Sequence, residues 1–584
     1  MVFKPPNWVP DLPFSPPDDV SLCDFMYSDG GRRPQPLDKC RNPFTCGLSG
    51  RTYTTAEVKG RVESLARALG AATGWAPDEG TEWDKMACIF SSNAVDYLTV
   101  AHAVHRLNGI LTPANTAYSA AELEHQLRAT HATVMFTCVS LLSVALPAAK
   151  AAGIPRERIF LVYVPETDTG ARLPAHEGLV TVESLIVRGR LLPALQPLKW
   201  TKGQGARQTA FVNFSSGTSG LPKGVMVSHH NVISNCLQIA TYESVGRAKN
   251  KVTTQVAIGV LPFSHIYGLV VITHLSMWRG DEVIVLPKYS LLGMLSAVQE
   301  YKVNQLFVVP PIAIQMVNNA EKCRQFDLSS VRSLNSGAAP LGLESIEQLR
   351  VLGGEWNIGQ GYGLTESSTA ICGTSEHDIM PGTSGSLMPW TTCKVIDANG
   401  NEVTEYDTPG ELYAKSPSVC LGYLDNTRAT AETFVWLDDG RYLRTGDEVV
   451  VRKSPQGNEH IVIVDRIKEL IKVKGQQIAP AELEACLLAH PYVADCAVIG
   501  VNHEYTGETP KAFVVKSATG KSVSDEDAIV ALKKHVADNK ASYKQLHGGI
   551  DFIDVVPKSP SGKILRRLLR DAERAKTKKT GPKI

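Results

Sequence analysis

Residues 214–231 read FSSGTSGLPKGVMVSHHN, with the small residues Ser215, Ser216, Gly217, Thr218, Ser219 and Gly220 ahead of Pro222, Lys223 and Gly224. Free backbone N–H groups, hydroxyl donors and a lysine can together wrap an anion. A β-prone run, FVNF, leads in and VMVSHHNVISN leads out, so a strand feeds the loop. The bland alternative is a surface connector, because Gly/Ser-rich turns are common. A Walker A loop places Gly-Lys-Ser/Thr five residues after its first glycine. Counted from Gly217, those places hold Pro222, Lys223 and Gly224. The lysine is in place and both neighbours are wrong, so another nucleotide chemistry is wanted.

Other reactive residues say little by themselves. His265 in SHIYG reads as a packed core histidine, and Asp447 in RTGDE as a turn aspartate. Thr365 and Glu366 in LTES read as a helix cap. Lys563 lies in SGKILRRLLRDAERAKTKK, which on charge alone is a basic helix facing solvent or an acidic partner.

The elements around these residues alternate between helix and strand signals, which predicts layered α/β architecture. Ser119 and Glu122 have capping-box spacing ahead of a helix that carries Leu123 and Leu127 on one face. LFVV (306–309), stopped by Pro310 and Pro311, reads as a buried strand. HIVIVD (460–465) alternates, and the character then changes to a Lys-rich turn, IKELIKVKGQQ, followed by PAELEACLL. Pro480 suits a first helical position, with Leu483, Cys486 and Leu487 as an apolar stripe. These signals predict an N-terminal domain over 1–466 and a C-terminal domain over 467–584, the latter within the usual domain size.

Composition narrows the function classes. The 584 residues exceed what one core usually serves. Lys+Arg 60 against Asp+Glu 59 leaves a net charge of +1, with 43% hydrophobic and 20% charged residues. That balance supplies no general attraction to nucleic acid or anionic membranes. Twelve cysteines, none in CxxC spacing, argue against a zinc site or a disulfide framework. MVFKPPNWVPDLPFSPPDD lacks the apolar run of a signal peptide. No stretch reaches the roughly 18 apolar residues of a membrane helix. Oligomeric state is not legible.

With these segments in hand, SSGTSGLPKGV resembles the phosphate-binding signature of the adenylate-forming superfamily. That superfamily includes acyl-CoA synthetases, 4-coumarate–CoA ligases, luciferases and peptide-synthetase adenylation domains. Further segments follow in the family's order. They are LPFSHIYGL (261–269), NSGAAPLG (335–342), GQGYGLTES (359–367), YLRTGDEV (442–449), VDRIKELIKVKGQQIAPAELE (464–484) and PKSPSGKILRR (557–567). The resemblance runs from about residue 50 to 570. It implies a large N-terminal domain of layered α/β sheets with a small β subdomain, and a small mobile α+β C-terminal domain.

It also implies a reaction. A carboxylate is first joined to AMP with release of pyrophosphate, and then passed to a thiol. ATP and the acid are both anionic, so positive charge and preorganised donors must supply most of the stabilisation. By resemblance, Ser215, Ser216, Gly217, Thr218, Ser219 and Lys223 hold the β- and γ-phosphates. Thr365 bonds the α-phosphate and Glu366 holds Mg²⁺, a hard cation suited to carboxylate oxygen. Gly361, Tyr362 and Gly363 pass close to adenine, with Tyr362 stacked on it and Ala338 and Gln360 lining the same pocket. Asp447 accepts both ribose hydroxyls, assisted by Arg466. Lys563 is the mobile lysine that bridges α-phosphate and carboxylate, a task suited to a compact charge on a flexible stem.

For thioester formation the C-terminal domain is expected to swing about Lys468. Lys472 and Gln477 then approach the acyl-adenylate phosphate, and Lys474 and Gly475 line the thiol tunnel used by coenzyme A. His265 sits where the acyl pocket meets the phosphate. Tyr267, Val271, Asn335, Thr369 and Ala370 line the acyl pocket. The likeness is strongest to plant 4-coumarate–CoA ligases and to fungal aryl-acid and phenylacetate–CoA ligases. Val271 and Asn335 stand where coumarate ligases carry a small polar residue and a lysine, and Thr369 and Ala370 where they carry a Pro-Val type pair. This disfavours 4-coumarate and predicts a less polar aryl-alkanoic, cinnamate-type or medium-chain acid. Carrier-protein loading and luciferase-like oxygenation share the first half-reaction. A binding module built on the basic tail is the alternative of another class. The final Pro-Lys-Ile resembles a peroxisomal address, against a cytoplasmic location.

Overall fold

The computed structural model describes residues 1–29, 31–165, 178–215, 222–473, 476–503, 507–559 and 562–580. Ser216, Gly217, Thr218, Ser219, Lys474, Gly475, Ser561 and the terminal Pro-Lys-Ile lie outside the described residues. The chain forms a large N-terminal domain of several sheets and a smaller C-terminal domain, the mixed α/β class expected from the sequence.

Two large sheets carry the N-terminal domain, one of nine strands and one of eight. Their central strands include short ones buried throughout, as in Met86–Phe90, Val134–Thr137 and Gln305–Val308. That pattern belongs to parallel sheets covered on both faces. Helices between them start on explicit caps. Thr54 with Glu57, Ser119 with Glu122 and Ser228 with Asn231 each form a capping box. The nine-stranded sheet aligns Val308, Ser336 and Gln360 at the ends of neighbouring parallel strands. Ligands bind beyond such strand ends in open α/β sheets. Segments 309–311, 337–341 and 361–366 leave from that edge.

The run LVVITHLSMW, too short to cross a membrane, is largely a buried π-helix over Tyr267–Leu275. Gly268 permits its close packing, because a Cβ there would meet the Pro262 carbonyl oxygen at 2.2 Å. Among the described residues no helix is long and apolar enough to cross a membrane.

A five-stranded antiparallel sheet between Thr392 and Arg466 completes the N-terminal part. Its last strand, Glu459–Arg466, is followed by a turn at 467–469. A second five-stranded sheet, opened by Ile471–Val473 and closed by Ile550–Phe552, builds the C-terminal domain. Helices Pro480–Leu488 and Asp525–Asn539 cover it, with Pro480 in the first helical turn. Leu483, Leu487, Val498, Leu532 and Val536 form its separate core.

Candidate active site

The two strands of one hairpin flank the segment expected to bind phosphate. Strand Thr209–Ser215 pairs with Lys223–Ser228, Ser215 opposite Lys223. The Lys223 ammonium sits 4.8 Å from the centre of the Tyr423 ring, a cation–π contact. Tyr423 in turn donates its hydroxyl to Glu366 Oε1 at 2.8 Å. Lys223, Tyr423 and Glu366 thus form a row from the phosphate loop to the expected metal ligand. Tyr423 was not legible in the sequence, where LGYLD carries no chemical spacing. Asn213 was missed as well; its side-chain amide donates to the Ser264 carbonyl at 3.1 Å and ties the hairpin to the His265 turn.

Thr365 and Glu366 occupy a short 3₁₀ turn that follows strand Asn357–Leu364. Glu366 is 9% exposed. The next turn is unusual. Ser368 has φ +53° and Thr369 φ +112°, a costly conformation for a β-branched residue. It lets Thr369 Oγ1 donate to the Ile266 carbonyl at 3.0 Å, while Asn235 exchanges hydrogen bonds with the Ala370 backbone. The strained turn therefore fastens the TES segment to the segment that carries His265 and Tyr267.

The glycines of GYG divide in purpose. A Cβ on Gly363 would sit 1.4 Å from the Thr369 carbonyl oxygen, so strand contact, not adenine, excludes a side chain there. On Gly361 it would meet only the Cys372 carbonyl at 3.7 Å, leaving room for a ligand. Ala338 has φ +68°. The Gln360 amide accepts from Leu341 N–H at 2.7 Å, which braces the loop that carries Ala338.

Tyr362 donates its hydroxyl to Asp447 Oδ2 at 2.6 Å. Asp447, 4% exposed, lies opposite Arg466 across adjacent strands, with Arg466 Nε 3.5 Å from Oδ1. Burial raises the Asp447 pKa, and Arg466 opposes that rise. This carboxylate is thus held beside a cation and a phenol.

Lys563 arrives in this site from the C-terminal domain. A turn positions it: Gly562 donates to the Ser559 carbonyl at 2.8 Å, and Lys563 N–H to Ser559 Oγ at 3.2 Å. Gly562 has φ +81°, and a Cβ there would come within 3.2 Å of Val309 and Pro311 of the large domain. Helix Arg566–Thr580 behind it is anchored by Arg566, which donates to Glu484 at 2.7 Å. Burial, then the neighbouring Arg466, lowers the Lys563 pKa to about 8, against the pull of Asp447 and Glu366. Burial and Lys563 likewise lower His265 to about 4. The Tyr267 backbone N–H donates to His265 Nδ1 at 3.3 Å, so the neutral ring carries its proton on Nε2. Lys563, His265, Arg466, Asp447 and Glu366 are one electrostatic cluster.

Other expected residues stay apart. Lys472 and Gln477 face each other across the hairpin Ile471–Val473 and Gln476–Ile478, both exposed. Lys468 lies exposed in the turn after Arg466, and its charge adds to the lowering of the Glu432 pKa, which comes mainly from Arg428. On the acyl side, the Tyr267 hydroxyl donates to the Asn335 carbonyl at 3.3 Å, and Val271 is buried on the π-helix.

One variant tests the row. Tyr423→Phe removes a hydrogen bond to a carboxylate, worth about 1.5–3 kcal/mol. We expect kcat/KM for ATP to fall about tenfold or more with the KM for the acid unchanged. An unaltered ATP dependence would show that Tyr423 does not orient Glu366.

A lysine from the C-terminal domain coupled to a carboxylate cluster beyond the ends of parallel strands is the arrangement expected of an adenylate-forming enzyme. Residues 37–424 match the AMP-binding enzyme family profile and residues 482–563 the AMP-binding enzyme C-terminal domain. The chain belongs to the AMP-binding enzyme family. It is 39% identical over 586 residues to acyl-CoA ligase cm3C of Cordyceps militaris, covering 98% of this chain and 90% of that one. It is 40% identical to acyl-CoA ligase AFT1-1 of Alternaria alternata, with 98% and 97% covered. Its fold is similar to the anthranilate CoA ligase AuaEII in complex with anthranoyl-AMP, at TM-score 0.78 and 21% identity, with 95% and 98% covered.

Proposed function

We propose that this AMP-forming carboxylate–CoA ligase activates an aryl-alkanoic, cinnamate-type or medium-chain acid, with Lys563 as the main source of charge compensation. The observation that carries this is the half-buried Lys563, whose charge is coupled to His265, Asp447, Glu366 and Arg466. In the first step a carboxylate oxygen attacks the α-phosphorus, the bond to the bridging oxygen breaks, and pyrophosphate leaves. Lys563 bridges the incoming carboxylate and the α-phosphate, where negative charges converge. Thr365 donates to the same phosphate. Ser215, Ser216, Gly217, Thr218, Ser219 and Lys223 hold the departing phosphates. Asp447 accepts from the ribose hydroxyls, and His265 offers Nε2–H at the junction of acid and phosphate. Glu366 fits Mg²⁺: Tyr423 occupies Oε1, leaving Oε2 for the ion, which would neutralise phosphate charge.

In the second step the thiol of coenzyme A attacks the acyl carbon and AMP leaves. Lys563 must withdraw for this, and Lys472, Gln477, Lys474 and Gly475 must approach. A boundary between 1–466 and 467–584, with rotation at Lys468, supplies both movements. The exposed Lys472 and Gln477 are the face not yet engaged.

The reading is tested by AMP formation from ATP with a panel of acids, with and without CoA. CoA-dependent AMP and acyl-CoA support it. Pyrophosphate release with no acyl-CoA would instead favour loading of a carrier protein.

The pH dependence follows from Lys563. Its charged form is the useful one, so activity is present below its pKa and lost as pH rises through about 8. In the adenylation half-reaction, kcat/KM for ATP reports the free enzyme and should fall about tenfold per unit above that point. Lys563→Arg, which stays protonated, should lose this limb even if slower. Bound ATP adds negative charge, so the limb in kcat should lie higher. A flat kcat/KM profile up to pH 9.5 would contradict the assignment.

A further inference from the structure

Gly337, Asn335 and Ser333 lie on one face of strand Ser333–Ser336 and its continuation, at the two-residue period of a strand. At the reaction end, the Tyr267 ring packs over Gly337, where a Cβ would lie 3.1 Å from Tyr267 Cε1. One step along, the Tyr267 hydroxyl meets the Asn335 carbonyl. The Asn335 amide oxygen lies over Gly359, 3.1 Å from where a Cβ would be. Beyond them Asn335, Ser333, Gly359 and Gln305 open on a cavity of about 20 Å³. That is room for roughly one water-sized group.

The cavity is polar yet electrically balanced. Arg332 pairs with Glu376, Arg247 with Asp281 at 2.8 Å, and Glu243 with Arg279. Every lining charge has its counter-charge, so a second carboxylate would enter without a cation to meet it. A neutral group is unspent instead. Ser333 Oγ is buried, at 2% exposure, and has no hydrogen-bond partner among the described residues. Leaving a buried hydroxyl unpaired is unfavourable, and Ser333 is one of the residues that line the cavity.

We infer that this cavity is the far end of the acyl pocket and receives a neutral oxygen, hydroxyl or carbonyl, at the end of the acid remote from its carboxylate. Ser333 and Asn335 are then specificity-determining residues. The inference rests on the carboxylate–CoA ligase reading. It refines the less polar acid expected from Val271 and Asn335: the body of the acid is apolar and its terminus is oxygenated.

The test compares acids in pairs with equal numbers of heavy atoms. ω-Hydroxyalkanoates of six to twelve carbons are set against alkanoates one carbon longer. 4-Hydroxyphenylacetate and 4-hydroxycinnamate are set against their 4-methyl analogues, and α,ω-dicarboxylates serve as a third arm. The readout is kcat/KM for CoA-dependent AMP formation. At the matching length the oxygenated acid should be favoured by about tenfold or more, with the dicarboxylate disfavoured. Ser333→Ala and Asn335→Leu should each bring the ratio toward one through loss of the oxygenated acid alone. Preference for the alkyl or methyl member throughout, or for the dicarboxylate, would overturn the inference while the ligase reading stands. So would a Ser333→Ala enzyme with lowered Tm and an unmoved ratio, because the cavity would then hold a structural water only. If no acid yields CoA-dependent AMP, the ligase reading falls and the inference with it.

Discussion

Lys563→Ala should lower acyl-adenylate formation about 10²–10³-fold, the scale of removing one preorganised donor from a developing charge. The lysine is half-buried and coupled to Arg466, Asp447 and Glu366, where its positive charge has no other source at the same place. Alanine removes the ammonium but leaves the Ser559–Gly562 turn, whose hydrogen bonds are made by the backbone and Ser559. The fold and the docking against Val309 and Pro311 should therefore survive. Thioester formation from supplied acyl-adenylate should stay within about threefold of wild type, since its chemistry uses the other face. Rapid-quench measurement of each half-reaction separates the two. Equal small losses in both would return Lys563 to the role of a surface charge.

The second large effect is expected at the hinge, from Lys468→Pro. Strand pairing ends with Asp447 opposite Arg466, and the turn at 467–469 leads directly into the C-terminal sheet. Ile467 donates to the Gly446 carbonyl, and Glu469 and Leu470 to Arg466. Proline at 468 fixes its own φ and restricts Ile467. Rotation needs those torsions to change. Adenylation should remain within about fivefold, whereas CoA transfer in a single turnover should slow by about 10² or more. Transfer at the wild-type rate would place the pivot elsewhere. Lys468→Ala, which keeps the torsions free, should transfer normally, and this separates backbone restriction from loss of the lysine charge near Glu432.

Much of this site is local in sequence, and local features are legible there. The capping box at Ser119 and Glu122 and Pro480 in the first turn of its helix formed as expected, and the buried strand before Pro310 formed one residue earlier, over Gln305–Val308, because Val309 caps the helix that Pro310 begins. Each depends on contacts within a few residues, which spacing alone encodes. The loop after FVNF and the segments GYGLTES, RTGDE and PSGK could likewise be read as a set, because their order along the chain identifies the family. Taken singly, Asp447 and Lys563 would have been passed over as a turn residue and a solvated charge.

Only the tertiary structure decided what these residues do to one another. Tyr423 meets Glu366 across 57 positions, Tyr362 meets Asp447 across 85, and the charge of Lys563, from another domain, helps to lower the His265 pKa. No period or spacing records such pairs, since they arise where separate strand ends converge. The reason for Gly363 is equally nonlocal: the Thr369 carbonyl occupies the place of its side chain. Ser333 gave no signal at all as one serine in a short strand. Its hydroxyl became informative once three ion pairs from distant segments closed a neutral cavity around it. The sequence by itself determined the class, the order of the segments and the chemistry that they serve. Burial and convergence lowered the Lys563 pKa, set the Tyr423 hydrogen bond on Glu366 and closed the cavity lined by Ser333, because desolvation depends on everything packed around a group and not on its neighbours in the chain.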